Sequence, residues 1–212
     1  MAWLIALAAL TACQAGAAPA ASATSAVAAC DMAERAWRRA ATATDSQRLR
    51  QWRPVFLDAI AQAQQAGDID APSADDPLYD PDRALDKPLP PPGAYRCRIV
   101  KLGAHDPRNR RFVALPPAAC TVAARDGGGL TFAMTEGMQR PIGRLYDGPP
   151  GRGVFLGTLE LGDEKLPVAY RADERRDMIG YIDRIGAARW RIILPKPHFD
   201  SLADVIEITS AG

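Results

Sequence analysis

In Gly93-Ala94-Tyr95-Arg96-Cys97-Arg98-Ile99-Val100-Lys101-Leu102, the residues Tyr95, Cys97 and Ile99 alternate with Arg96 and Arg98. Side chains two apart project from one face of a strand, so this run has an apolar face and a cationic one. The period of two recurs downstream. Leu130, Phe132 and Met134 alternate with Thr131 and Ala133, and Phe155, Leu159 and Leu161 share a face. So do Leu166, Val168 and Tyr170, then Met178, Gly180 and Ile182, then Ala188, Trp190, Ile192 and Leu194. Turn-forming residues interrupt these runs at Asp126-Gly127-Gly128-Gly129, Asp147-Gly148-Pro149-Pro150-Gly151, Gly162-Asp163 and Gly186-Ala187. About eight to ten short, closely spaced strands predict a meandering antiparallel barrel or sandwich over residues 93–212.

Upstream of Gly93 the pattern changes twice. Residues 68–92 carry Asp68, Asp70, Asp75, Asp76, Asp80, Asp82 and Asp86 interleaved with prolines, and end in Pro88-Leu89-Pro90-Pro91-Pro92. The acidic spacing lacks the Asp-x-Asp-x-Asp-Gly order of a calcium loop, and proline stands where such a loop must curl. The stretch reads instead as a rigid, extended connector, expected to separate a helical unit from a barrel that folds alone. Residues 31–67 form that helical segment. One helix is predicted near Asp31–Ala41, with Met32, Ala36 and Ala40 on a face beside Trp37. A second is signalled by Thr44-Asp45-Ser46-Gln47, which has capping-box form. Behind it Leu49, Trp52, Phe56, Ile60 and Ala63 recur at helical spacing until Gly67, with Pro54 expected to break or kink the run. The fold class is therefore α+β: two N-terminal helices, then an antiparallel barrel or sandwich.

The first 30 residues have the composition of an export signal and spacer. Residues 2–12 are an apolar run, too short for the ~20 residues of a spanning helix and about the length of a signal-peptide core. It ends in Leu10-Thr11-Ala12-Cys13, an aliphatic residue, two small residues and a cysteine, which resembles a bacterial lipobox. Residues 1–13 are thus expected to be a signal peptide with lipobox, with Cys13 the lipidation site. The usual cationic start is missing, so the true start is expected to lie upstream of Met1; the alternative to lipidation at Cys13 is ordinary cleavage near Ala17-Ala18. Gln14 after the cysteine, by resemblance to known lipoproteins, implies the outer membrane on its periplasmic side. Residues 14–30, rich in Ala, Ser and Thr, read as a flexible tether.

An exported chain fits an oxidising compartment, where Cys97 and Cys120, each in a strand-like run, are expected to pair. Closing that loop contributes ~3 kcal/mol on the chain-entropy model. Cys30 is then left over in the tether. A zinc site would need CxxC spacing or histidine partners, and neither occurs.

The run Pro92-Gly93-Ala94-Tyr95-Arg96-Cys97-Arg98-Ile99-Val100-Lys101-Leu102-Gly103 resembles a family of proteobacterial envelope proteins, domain of unknown function 4893. Further matches are Cys120, Phe132, Thr135, Gly137, Gln139-Arg140, Gly143 and Phe155-Leu156-Gly157, then Arg189-Trp190-Arg191, Pro195, Pro197 and Asp204-Val205. The resemblance covers roughly residues 35–209. It implies an export-linked location and no assigned activity. More distantly, a short barrel with Gly-x-aromatic at its first strand and Arg beside Trp near its end is similar to calycins, an analogy of fold that carries no function.

The formal net charge is +1, with 22 Arg against 4 Lys, so no global electrostatic footprint for nucleic acid exists. The two histidines, His105 and His198, lie in turn-like contexts without metal-ligand spacing. Neither a Gly-x-Ser-x-Gly elbow nor a phosphate-cradling Gly-x-x-x-x-Gly-Lys occurs. No catalytic residue, metal or cofactor is expected. The candidate ligand-binding residues are Arg96 and Arg98, which would hold a carboxylate or phosphate if their strand face points into a barrel, with Gln139, Arg140 and Arg144 lining the same cavity. The alternative is that these arginines lie on the outer face, paired with Asp and Glu. Trp190 reads as a core plug. Three functions stay open: a non-catalytic module binding a partner protein or small ligand, a periplasmic hydrolase-like enzyme with an Arg/carboxylate site, and a structural outer-membrane component.

Overall fold

The computed structural model describes residues 36–67, 72–73, 75–162, 164, 166, 168–198 and 200–211. Cys13, Cys30 and the rest of residues 1–35, on which the expected signal peptide and tether fall, lie outside the described residues.

Among the described residues nine strands run from β1 (Gly93–Leu102) through β2 (Phe112–Ala114), β3 (Ala118–Ala124), β4 (Leu130–Met134), β5 (Gln139–Asp147), β6 (Gly153–Leu161), β7 (Asp177–Gly186) and β8 (Arg189–Pro195) to β9 (Ala203–Ser210). Each pairs antiparallel with its neighbour, and β9 returns to β1 along Tyr95↔Ser210 through Leu102↔Ala203. The result is a closed eight-strand barrel. β2 and β3 share one edge of β1: Gly93–Cys97 pair with β3, and Val100–Leu102 with β2. Pro116 and Pro117 stand between them, and a residue without an N–H cannot continue a ladder.

The expected strand through Leu166, Val168 and Tyr170 is instead part of the loop between β6 and β7. Its sequence includes Pro167, which denies a ladder its donor. β9, whose alternation is masked by burial on both faces, supplies the closing strand.

The barrel interior is apolar. Tyr95, Cys97, Ile99, Phe132, Phe155, Trp190, Ile192, Leu194, Ile206 and Ile208 belong to one buried cluster. Tyr95 meets Trp190 edge-on at 5.7 Å, and Phe132 meets Phe155 at 5.9 Å, the geometry aromatic quadrupoles favour. Cys97 and Cys120 lie diagonally across β1 and β3 and form a disulfide with Cα atoms 5.9 Å apart. Gly143 and Gly157 face each other across β5 and β6. A Cβ on Gly157 would sit 2.2 Å from the Ile142 carbonyl oxygen, so this corner of the barrel requires glycine.

The outer wall is covered in part by the N-terminal segment. Residues 36–40 are helical, followed by α1 (Ala43–Arg50) and α2 (Trp52–Gln65). The cap of α1 is Thr42, whose Oγ1 accepts from the Asp45 N–H at 3.0 Å, two residues ahead of the expected capping box. The break between helices falls at Gln51, so Pro54 occupies the first turn of α2, where its missing N–H costs nothing. Phe56, Ala59 and Ala63 of α2 pack on Val100, Ile193, Ala203 and Val205, the outward apolar residues of β1, β8 and β9. Trp37 and Leu49 pack likewise on Val154, Leu156 and Ile179 of β6 and β7.

The connector follows the barrel rather than holding it at a distance. Leu78 and Tyr79 are buried with α2 on the wall, and Leu85 bridges to Arg184. Arg191, fully buried, donates to the carbonyl oxygens of Pro77 and Leu78 at 2.9 Å, to that of Arg83 at 3.1 Å, and to Asp183. A buried guanidinium keeps its charge only if its N–H groups are satisfied, and the connector's carbonyls do that.

Candidate functional site

Because the strands meander, the loops after β1, between β4 and β5, between β6 and β7, and between β8 and β9 gather at one end of the barrel. This end is the mouth. The opposite end carries the turns at 125–129, 148–152 and 187–188.

A small cavity of ≈ 20 Å³ lies at the mouth. Its floor is Ile99, Leu159, Leu194 and Ile206, which face the barrel interior. Its rim includes Arg48, Asp177, His198 and Gln139. The volume holds roughly one or two waters, so the barrel is a packed body with a shallow recess and not a ligand container.

Arg48 reaches the rim from α1. It pairs with Asp45 at 2.8 Å and donates to the main-chain oxygen of Asp177 at 2.9 Å and that of Lys196 at 3.3 Å. Asp45 in turn accepts from the Tyr170 hydroxyl, which itself accepts from the Thr42 N–H. One helix, one loop and two strand ends are thereby tied together. Asp177 opens β7 and faces Thr158 across the ladder; its Oδ1 accepts from the Arg171 N–H at 2.8 Å. Three polar atoms buried where α1 meets the outer faces of β6 and β7 find no hydrogen-bond partner among the described residues: Arg48 Nε, Thr158 Oγ1 and Asp177 Oδ2. Unfilled hydrogen-bonding capacity in a low-dielectric setting is costly to the fold.

Burial sets the electrostatics. It pushes the Asp177 carboxyl above the ordinary carboxylate range, with Asp45 adding to the rise. It lowers the Arg48 guanidinium against the opposing pull of Asp45. His198 is lowered first by burial and then by the nearby Arg48 cation. Inside the mouth, Asp204 is raised by burial although Lys101 lies 3.3 Å away and Ser201 donates to it at 2.5 Å.

The five candidate residues do not share a cavity. Arg96 and Arg98 lie on the outer face of β1, beside Glu207 and Thr209 in an open cleft of ≈ 320 Å³, because Tyr95, Cys97 and Ile99 take the inner face. Arg98 is already paired with Glu207, its register partner, at 2.8 Å. Arg140 ties two mouth loops together: it donates to the Gly137 and Glu164 carbonyl oxygens, both at 2.9 Å, and to that of Gly162, and pairs with Glu160. Arg144 is exposed on the outer face of β5. Gln139 alone of the five borders the mouth cavity. Sequence reading missed Arg48 and Asp177, which stand 129 positions apart and share no motif. His198 carried a weak signal, its placement directly after Pro195-Lys196-Pro197. No group of three or more His, Cys, Asp and Glu that could hold a metal occurs among the described residues.

Fold and site together define a small closed antiparallel barrel clad on one side by N-terminal helices, with a polar recess at its mouth. The chain belongs to the family described as Domain of unknown function (DUF4893), whose profile matches residues 37–208, from before α1 into β9. No curated protein matches the chain, and no solved structure does.

Proposed function

We propose that this protein is a non-catalytic binding module of the cell envelope, lipid-tethered through Cys13, that engages a partner protein or small ligand at the mouth of its barrel. The observation that carries this reading is the contrast between a filled interior and a mouth recess that sets a polar rim, including Arg48, Gln139 and His198, beside an apolar floor. Binding sites of this kind combine an apolar surface with a few placed polar groups. Two exposed apolar side chains, Met138 at 75% and Leu166 at 82% exposure, stand on the adjoining β4–β5 and β6–β7 loops and extend the apolar area outward. Such residues on a loop tip favour contact with a partner.

A photocrosslinking amino acid in place of Met138 tests this in intact envelopes. It is expected to yield discrete adducts, whereas the same group at Arg125, at the opposite end, yields none. Equal labelling from both ends, or none from either, would count against the mouth.

A second reading, the hydrolase-like enzyme, draws on one observation: Arg48, Asp177 and His198 border one recess, an Arg/carboxylate constellation with a base. It requires ester or phosphoester turnover that His198→Ala abolishes without changing the melting temperature.

A further inference from the structure

The barrel's outer wall is clad unevenly. The N-terminal segment and connector lie against outward side chains of β1 and of β6 through β9. Beside residues 36–40 this cladding stops, and a groove of ≈ 540 Å³ opens over the outer faces of β5 and β6. Ile142 and Leu156 form its floor, and Tyr146 and Val168 stand along it. Arg144 flanks it from β5 and Arg171 from the β6–β7 loop, and no Asp or Glu among the described residues lines it.

Both arginines are exposed, and neither guanidinium has a partner among the described residues. Their neighbours differ. Arg140, on the same face of β5, pairs with Glu160, and Arg176, in the same loop as Arg171, pairs with Glu164. The ladder neighbours of Arg144 are Thr131 and Leu156, neither of them charged. Arg171 has a φ of 76°, in the left-handed region that a Cβ disfavours, and its N–H donates to Asp177 Oδ1 at 2.8 Å. Glycine takes this conformation with less strain. What arginine adds at that position is a cation at the side of the groove.

Charge and surface together narrow the occupant. Two free cations beside an aliphatic floor suit an anionic head on an apolar body, since a guanidinium holds a carboxylate or phosphate through paired N–H groups. The volume lies in the range of small-molecule sites. A peptide fits less well. At the groove β5 is paired with β4 and β6, and β6 with β5 and β7, so no ladder edge is open to a peptide backbone. An acyl chain needs none.

We infer that this wall groove binds an anionic amphiphile, an aliphatic chain ending in a carboxylate or phosphate. The chain lies on Ile142, Leu156 and Val168, and the head pairs with Arg144 and Arg171. The groove shares no lining residue with the mouth recess, so the site stands apart from the reading above.

The test is a titration of the full-length chain, followed by the methyl resonances of Ile142, Leu156 and Val168, with Ile99 and Leu194 reporting on the mouth. The probes are octanoate, octyl phosphate, 1-octanol and octylammonium, all below micelle formation, and an acidic tripeptide with a central leucine. At least one of the two anions is expected to move the wall resonances saturably, at concentrations about threefold to tenfold below octanol, the scale of one or two exposed ion pairs. The better of the two names the head group. Arg144→Gln combined with Arg171→Gln is expected to erase that advantage and leave octanol unchanged, and added salt is expected to shrink it. The probe series on the unaltered chain stands whether or not that variant folds. Octanol or octylammonium binding as tightly as the better anion would overturn the inference. So would movement confined to Ile99 and Leu194, tighter binding of the tripeptide, or no response to any probe.

Discussion

Cys97 and Cys120 sit on the inner face of the barrel, each 1% exposed, one strand apart. The bond joins positions 23 apart and ties β1 to β3, so it limits the freedom of the unfolded chain over that loop. Cys97→Ser is expected to cost about 2–5 kcal/mol in denaturant melts, and Cys30→Ser almost nothing. A Cys97→Ser protein as stable as the parent would remove the structural role. Asp204 makes a pH-dependent case. Burial raises its folded pKa above the ordinary 3.8, with Lys101 and Ser201 opposing only in part. A carboxyl raised on folding contributes stability that is complete below its unfolded pKa and is lost as pH rises through the folded one. Asparagine cannot titrate. The melting temperature of the parent minus that of Asp204→Asn is therefore expected to grow as pH falls from 7 to 4. A difference that stays flat or shrinks would contradict the sign.

At the scale of elements, the outer wall is the informative surface. Val100, Ile185, Ile193 and Val205 lie outside the barrel, yet α2 and the connector leave each at 1% exposure or less. Uncovering four such side chains costs on the order of 10 kcal/mol at about 1.5–3 each, comparable with the whole stability of a domain. The same cut would strip the Pro77, Leu78 and Arg83 carbonyls from buried Arg191 and leave the Asp183–Arg191 pair facing water. A chain beginning at Pro92 is therefore expected to melt without a cooperative transition or to aggregate, and calorimetry decides it. A sharp melt matching the parent would mean that helices and connector are accessories.

For the molecule as a whole, the proposal of membrane attachment belongs to residues outside the described structure and rests on Leu10-Thr11-Ala12-Cys13. No helix among the described residues is long and apolar enough to cross a membrane. On this proposal the folded part is held at the surface through the lipid on Cys13. Fractionation of cells expressing the parent and Cys13→Ser, with any native upstream sequence present, is expected to move the variant from membrane to soluble fraction. Identical partition of the two would sink the anchor. A tethered barrel with its mouth free matches the crosslinking geometry proposed above, because Ala36, the first described residue, borders Arg125, Gly128 and Asp147 at the end opposite the mouth.

Much of the architecture follows from local chemistry. Alternation in Tyr95-Arg96-Cys97-Arg98-Ile99, glycine-rich turns and helical spacing from Leu49 to Ala63 are short-range patterns, and each reports which face a side chain takes. They were enough to predict helices followed by an antiparallel barrel or sandwich, the Cys97–Cys120 bond and the apolar plug at Trp190. Alternation does not say which face is inside, because a strand with Val100 and Lys101 side by side can satisfy either assignment until its neighbours are known. Closure settled that: β9 returning to β1 turned Arg96 and Arg98 outward and set Arg98 against Glu207. The wall contacts of Val100 and Val205 were illegible for a related reason, since burial on both faces of a strand erases the period of two. The site lay furthest from view. Arg48 belongs to a helix, Asp177 to a strand end and His198 to a loop, and only the packing of α1 against the mouth brings them to one recess. Contacts between residues over a hundred positions apart leave no spacing in a sequence, so that site belongs to tertiary structure alone.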